Sequence, residues 1–213
     1  MPWLLPLLIA ALAGYVCGAT PFGYMAGRFK GIDIRQHGSG NIGATNVIRV
    51  CGKGIGIPVF ILDVVKGWLP AWFAQQWFIG HAASVEWVTG AGIAAGAAAV
   101  LGHNYTFWLR GQGGKGIATS AGTVLALAPW ALLSGFIVWF IALKITRYVS
   151  LASLIAAVSI PITMAVMMSR SGQWNQILLG FGIVLCALAI ARHKANIQRL
   201  LAGTENRVGQ RKS

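Results

Sequence analysis

The sequence predicts an all-α, polytopic integral membrane protein, a helical bundle with seven transmembrane helices, some of them short. Of the 213 residues, 56% are hydrophobic and 10% are charged, and the mean hydropathy is +0.68. These values are typical of a membrane protein rather than a soluble domain. The apolar stretches are continuous rather than alternating, which argues against a β-barrel. We expect one membrane-embedded domain over residues 1–203.

Basic residues predict the orientation of the first three spans, which we place at residues 3–26, 54–78 and 87–101. No lysine or arginine precedes Arg28, whereas five lie within residues 28–53. The positive-inside rule therefore places the N-terminus outside and residues 28–53 in the cytoplasm. Asp63 and Lys66 lie three residues apart in the second span, so they share a helical face and can pair.

The apolar run at residues 117–143 decides the number of crossings. If it crossed once, Lys144, Arg147 and the basic C-terminus would lie outside, against the same rule. We therefore predict that the chain folds back near Pro129, which gives seven helices and a cytoplasmic C-terminus. Each half would be about 18–21 Å long, short of the ~30 Å hydrocarbon core, so one kinked, tilted span is the alternative. The last two spans are predicted at residues 149–168 and 177–191, and residues 204–213 are predicted to be a basic, frayed tail.

The charged residues also exclude several classes of function. Lysine and arginine number 17 against four acidic residues, giving a net charge of +13. The four carboxylates are scattered along the chain, which argues against a Mg²⁺-dependent kinase or a two-metal hydrolase, so we expect no metal site. Nucleic acid is excluded as a partner because no soluble basic domain is present to bind it. The basic excess suits anionic lipid and an anionic substrate. The three cysteines have no metal spacing and are interpreted as packing residues.

Three polar stretches fall on the predicted cytoplasmic side. Residues 39–49 carry hydroxyls and amides and end in Arg49, a bidentate partner for phosphate. In residues 102–119, four glycines surround Lys115, a pattern in which backbone N–H groups and one cation can grip a phosphate. It is not a P-loop, because Leu109 and Gly116 stand where that motif needs glycine and a hydroxyl. A tight turn between helices is the alternative.

The third polar stretch covers residues 192–205. His193 and Asn196 lie at positions i and i+3, so they share a face if the last helix continues. A basic helix end that contacts lipid headgroups would explain the cations but not these two residues. A shorter candidate, residues 148–153, offers hydroxyls that either serve a ligand or bond back to their own helix.

Together these stretches are similar to the bacterial acyl-phosphate:glycerol-3-phosphate acyltransferase family, the PlsY family. The resemblance covers nearly the whole chain, as six motifs in order. They are residues 39–46 with Arg49, residues 62–63 with 66–67, residues 102–103, residues 113–119, residues 150–153, and residues 192–193 with 196–197 and 199–200. The resemblance implies a multi-pass enzyme of the bacterial inner membrane with a cytoplasmic active site.

The resemblance also implies the reaction. A fatty acyl group would pass from acyl phosphate, not acyl-CoA, to the sn-1 hydroxyl of glycerol 3-phosphate, giving lysophosphatidic acid and phosphate. This is the first committed acylation of phospholipid biosynthesis, and it would need neither metal nor cofactor. The implied partners are acyl phosphate, glycerol 3-phosphate and membrane lipid. Whether an enzyme that makes acyl phosphate docks on the protein stays open.

The candidate site residues form three groups. The candidate catalytic residues are His193, Asn196, Lys115 and Arg49. The candidate substrate-binding residues are Ser39, Asn41, Gly113, Gly114, Gly116, Thr119 and Ser153. The candidate supporting residues are Asp63, Lys66, His103 and Glu205. Both substrates carry phosphate, so the cations balance charge, while either neutral His193 or a substrate phosphate oxygen takes the hydroxyl proton. A phosphate-ester transporter and a purely structural membrane protein are the competing classes.

Overall fold

The computed structural model describes residues 2–209, which fold into ten α-helices and two short 3-10 turns. The helices are α1 (Leu4–Ala19), α2 (Phe22–Phe29), α3 (Ala44–Cys51), α4 (Lys53–Gly80), α5 (Val85–Asn104), α6 (Ile117–Leu127), α7 (Pro129–Thr146), α8 (Val149–Ser171), α9 (Gln176–Arg192) and α10 (Lys194–Leu201). The 3-10 turns are Ile34–Gln36 and Phe107–Leu109. The chain divides into two compact units, Met1–Leu127 and Ala128–Ser213.

Small residues determine the close packing of α1 against α5 in the first unit. A side chain at Gly14 or Gly18, one turn apart on α1, would overlap the carbonyl oxygens of Ala95 and Ala99 on α5. Because lipid tails are as apolar as leucine, close backbone approach of this kind is a main source of helix association in membranes.

The first predicted span is broken near its C-terminal end. Pro21 has no N–H and disfavours helical backbone at Thr20, so α1 stops and α2 starts again at Phe22. The break frees carbonyl groups that side chains then bind. The Lys66 ammonium donates to the Thr20 carbonyl (2.8 Å), and the hydroxyl of Thr106 donates to the Ala19 carbonyl (2.5 Å).

Helix α6 packs on α4 in the same backbone-to-backbone manner. A side chain at Gly67 of α4 would overlap the Thr119 carbonyl oxygen, and one at Gly122 of α6 would overlap the Val64 carbonyl oxygen. These contacts place the start of α6, and hence the end of the glycine-rich loop, against the middle of α4.

The second unit contains α7 to α10. Helices α7 and α8 are joined by a hydrogen bond between the hydroxyls of Ser134 and Thr163 (3.1 Å). Two residues of the predicted tail contact the two residues that precede α8: the Val208 N–H donates to the Arg147 carbonyl (2.8 Å), and Arg207 Nε donates to the Tyr148 hydroxyl (2.7 Å). Residues 210–213 lie outside the described residues.

The apolar run at residues 117–143 forms two helices rather than one kinked helix, because the backbone leaves the helical region at Ala128 and Pro129 begins α7. Within residues 2–209, five helical segments are long and apolar enough to cross a membrane, or six if α9 and α10 count as one bent span. Helix α6 is shorter, about 16 Å. Seven crossings and the orientation of the termini stay predictions.

Candidate functional site

The loop that carries Ser39 is built around the buried side chain of Asn46, on α3. The Asn46 amide nitrogen lies within hydrogen-bond distance of three loop carbonyls, those of Ile34 (3.3 Å), His37 (3.0 Å) and Asn41 (2.9 Å). Its oxygen accepts from the Ser39 N–H (2.8 Å). One side chain thus fixes the backbone on both sides of Ser39.

The ends of this loop are set by local turns. Asp33 caps the first 3-10 turn and makes a bidentate ion pair with Arg35, with a closest distance of 2.6 Å. The hydrogen bond from Arg35 lowers the pKa of the Asp33 carboxyl to about 2. Asn41 accepts from the Gly43 N–H (2.8 Å), which turns the chain into α3. Arg49 is exposed in the last turn of α3.

The glycine-rich loop is attached to the end of α5 by its backbone. The Gly113 N–H donates to the Asn104 carbonyl (3.2 Å), and the Gly114 N–H donates to the His103 carbonyl (3.0 Å). Gly116 has a φ of +78°, which favours glycine, and α6 begins directly after it. Lys115 is half-buried between these fixed glycines.

A buried ion pair lies behind the loop. Lys66 Nζ is 2.7 Å from Asp63 Oδ1, as the i, i+3 spacing predicts, and His103 Nδ1 is 3.6 Å from the same oxygen. All three side chains are at most 4% exposed. Thr119 is fully buried where α6 meets α4, so the structure gives it a packing position rather than an accessible one.

His193 lies at a bend that the sequence did not predict. The last apolar helix does not continue through it; α9 ends at Arg192 and α10 leaves at 58°. The imidazole is 3% exposed, and its Nδ1 lies 2.8 Å from the Ala189 carbonyl. A carbonyl only accepts, so Nδ1 carries the hydrogen, and Nε2 is the acceptor of the neutral ring.

Glu205 organises the start of α10. Its Oε1 accepts from Asn196 (2.7 Å) and Ser150 (2.9 Å), and its Oε2 accepts from Arg199 (2.7 Å). Burial raises the pKa of this carboxyl, but the three hydrogen bonds outweigh burial and lower the pKa overall. The carboxylate therefore stays charged and holds the Asn196 amide in place. On α8, the Ser153 hydroxyl accepts from Trp139 Nε1 (3.2 Å).

A family model for glycerol-3-phosphate acyltransferases matches residues 8–203. The chain belongs to the glycerol-3-phosphate acyltransferase family. It is 43% identical over 203 residues to a glycerol-3-phosphate acyltransferase of Desulforamulus reducens, covering 95% of each chain. It is 44% identical over 207 residues to one of Desulforudis audaxviator, covering 97% of each chain.

Two crystal structures of PlsY (YgiH), an integral membrane glycerol 3-phosphate acyltransferase, resemble this fold at 39% identity. The glycerol 3-phosphate form gives a TM-score of 0.84 over 95% of this chain and 96% of that chain. The lysophosphatidic acid form gives a TM-score of 0.81 over 95% of each chain. These matches confirm the expected family and the all-α membrane fold.

Within this family assignment, the predicted site residues are divided between the two units. The first unit holds Ser39, Asn41, Arg49, Asp63, Lys66, His103, the loop glycines, Lys115 and Thr119. The second holds Ser153, His193, Asn196 and Glu205. Sequence reasoning missed Asn46 and Ser150 as supports of Ser39 and Glu205. Across residues 2–209, no group of three or more His, Cys, Asp or Glu side chains is placed to hold a metal ion.

Proposed function

We propose that this protein transfers a fatty acyl group from acyl phosphate to the sn-1 hydroxyl of glycerol 3-phosphate, giving lysophosphatidic acid and phosphate. The observation that carries the proposal is the match along 95% of the chain to PlsY in both its glycerol 3-phosphate and its lysophosphatidic acid forms. An acyl phosphate is already activated, so the protein needs only to position the substrates, stabilise charge and let one hydroxyl proton leave.

Two groups on the first unit suit the phosphate groups. Arg49 is exposed at the end of α3 and offers a planar pair of N–H donors. Lys115 lies among glycines whose backbone the end of α5 fixes, so its charge is held by a rigid support. Ser39 and Asn41 lie on the loop that Asn46 braces, and they supply further polar contacts.

Two groups on the second unit suit the acyl acceptor. With its Nδ1–H committed to the Ala189 carbonyl, neutral His193 presents Nε2 as a hydrogen-bond acceptor for the sn-1 hydroxyl. Asn196, oriented by Glu205, would position glycerol 3-phosphate beside it. A phosphate oxygen of the substrates is the other candidate base. If His193→Ala leaves kcat nearly unchanged and raises only KM, the imidazole is not the base.

The family supports the location, and the charge pattern supports the orientation. We place the protein in the bacterial inner membrane, with the N-terminus outside and the site in the cytoplasm. The reaction as proposed uses no metal and no cofactor, and it is the first committed acylation of phospholipid biosynthesis. The partners are acyl phosphate, glycerol 3-phosphate and membrane lipid.

The test is phosphate release by the purified protein in lipid, with palmitoyl phosphate and glycerol 3-phosphate in the presence of EDTA. We expect release that requires both substrates, is lost in Lys115→Ala and persists in Lys30→Ala, an exposed lysine outside the site. A glycerol 3-phosphate analogue that lacks the primary hydroxyl should not be acylated. Activity with palmitoyl-CoA alone would refute the acyl-phosphate donor, and substrate binding without transfer by either donor would favour transport.

A further inference from the structure

The buried charges behind the glycine-rich loop have no part in the chemistry proposed above. Asp63, Lys66 and His103 are 2%, 3% and 4% exposed. The cost of removing an ion pair from water can exceed the attraction between its members, so stability alone is a weak reason for this pair. Ionisable residues in membrane helices generally mark function.

The contacts of this cluster extend in two directions. Lys66 Nζ donates to the Thr20 carbonyl at the break between α1 and α2, which fixes the ion pair to a third helix. His103 extends the other way: its backbone carbonyl accepts from the Gly114 N–H, and its imidazole lies directly against Gly114. The imidazole therefore lies between the Asp63 carboxylate and the residue that precedes Lys115.

We infer that His103, held by the Asp63–Lys66 pair, is a positioning residue for the glycine-rich loop. Its ring fixes where Gly114 lies, and hence where Lys115 and the loop N–H groups point. This inference rests on the proposed function, in which the loop binds a substrate phosphate. His103 and the ion pair would not touch the substrate themselves; they act through the loop.

The requirement for glycine at position 114 supports this role. Gly114 is not among the residues with positive φ, so its backbone conformation is open to other residues. A methyl group there would instead overlap His103 Nε2, a side-chain atom. Gly113 provides the contrast: a methyl group there would overlap the His103 carbonyl oxygen, a backbone atom. Truncating His103 makes room at position 114 but not at position 113.

A double-mutant cycle tests this directly. His103→Ala should lower kcat/KM about tenfold, and Gly114→Ala about 100-fold, because small misplacements of a binding loop have effects of that size. In the His103→Ala background, Gly114→Ala should cost less than about threefold, since the two changes share one contact. Gly113→Ala is the matched control and should cost the same in both backgrounds. Equal costs of Gly114→Ala in both backgrounds would overturn the inference.

The ion pair is tested by removing both charges together. Asp63→Leu with Lys66→Met leaves neither the carboxylate nor the ammonium unpaired, so we expect only the small fall in melting temperature caused by losing the Lys66 bond to the Thr20 carbonyl, and a kcat/KM about tenfold lower. Unchanged kcat/KM would show that the pair does not support the loop. Should this variant not fold, the cycle at His103 and Gly114 decides alone.

Failure of the proposed function can be distinguished from failure of this inference. If the unaltered protein uses palmitoyl-CoA rather than palmitoyl phosphate, the proposed donor is wrong and the cycle is repeated with the CoA donor. If it transfers from neither, the cycle is measured as the increase in melting temperature caused by glycerol 3-phosphate. In either version of the cycle, coupling between positions 103 and 114 without coupling between 103 and 113 supports the positioning role. If positions 103 and 114 are not coupled, the positioning role is overturned.

Discussion

Glu205 offers the sharpest test of how the second unit is built, because one carboxylate there serves three donors. We predict that Glu205→Ala destabilises the protein and lowers turnover. Two of the lost hydrogen bonds, from Ser150 and Asn196, reach a buried oxygen, and bonds to a charged group contribute about 1.5 kcal/mol or more each. The remaining hydrogen bond comes from Arg199, whose side chain is 34% exposed. Solvent screens this ion pair, so it contributes about 0.5 kcal/mol.

Together these losses amount to about 3.5 kcal/mol, which corresponds to a fall in melting temperature of roughly 7–14 °C for a chain of this size. Turnover should fall about 100-fold as well, since Asn196 loses the bond that orients it. Differential scanning calorimetry in detergent and the phosphate-release assay measure the two effects. Glu86→Ala, which removes an exposed carboxylate at the start of α5, is the matched control and should leave the melting temperature nearly unchanged.

Glu205→Gln removes the charge of the side chain but keeps its shape. The glutamine oxygen can still accept from Asn196 and Ser150, but the ion pair with Arg199 is lost. We therefore expect the free energy of unfolding to fall by about 1 kcal/mol. The folded state lowers the pKa of Glu205, so its contribution is complete above the ordinary value of 4.5 and is lost as the pH falls below it. The glutamine variant should lack this pH dependence. A Glu205→Ala protein with unaltered melting and turnover would refute the reasoning.

Three further predictions follow from the first unit. Gly18→Ala should lower the melting temperature by several degrees because its methyl group meets the α5 backbone, whereas Gly90→Ala, with open space around it, should not; calorimetry compares them. Asn46→Ala should reduce kcat/KM about 100-fold in the transfer assay by releasing the loop around it, while the exposed neighbour variant Thr45→Ala stays active. The Asp33 carboxylate should titrate with a pKa of about 2 by NMR. Its contribution to stability is therefore present above pH 3.8 and is lost as the pH falls through about 2. A measured pKa near 3.8 would show that Arg35 does not bind this carboxylate.

The apolar spans could be predicted because bilayer thickness sets their length. The second span, expected at 54–78, is observed as Lys53–Gly80. Two breaks were missed for different reasons. Pro21 marks the break before Phe22 in the sequence. The apolar run continues past this proline, and for that reason the span was predicted as one helix. The bend at His193 has no proline or glycine to mark it.

The sequence predicts candidate residues for the site, but it does not predict the long-range contacts that support them. Glycines around a lysine and a basic helix end carrying histidine and asparagine are local patterns. The role of Asn46 depends on carbonyls 5 to 12 residues away, and Ser150 contacts a carboxylate 55 residues away. No local pattern specifies such partners, because several chain segments must first fold together. Glu205 is a candidate supporting residue by sequence, but no local pattern specifies the three donors that it binds.

The acidic residues connect the fold to the proposed chemistry. Three of the four carboxylates, those of Asp33, Asp63 and Glu205, already form ion pairs with nearby bases. Even complete pairing of all four would leave the net charge of +13 that the sequence carries. The carboxylates therefore orient particular groups, while the excess positive charge attracts substrates that bear phosphate. Because salt screens such attraction over about 10 Å at 0.1 M, KM for glycerol 3-phosphate should rise with ionic strength while kcat changes little. A KM that does not change with salt would show that only short-range contacts recognise the phosphate.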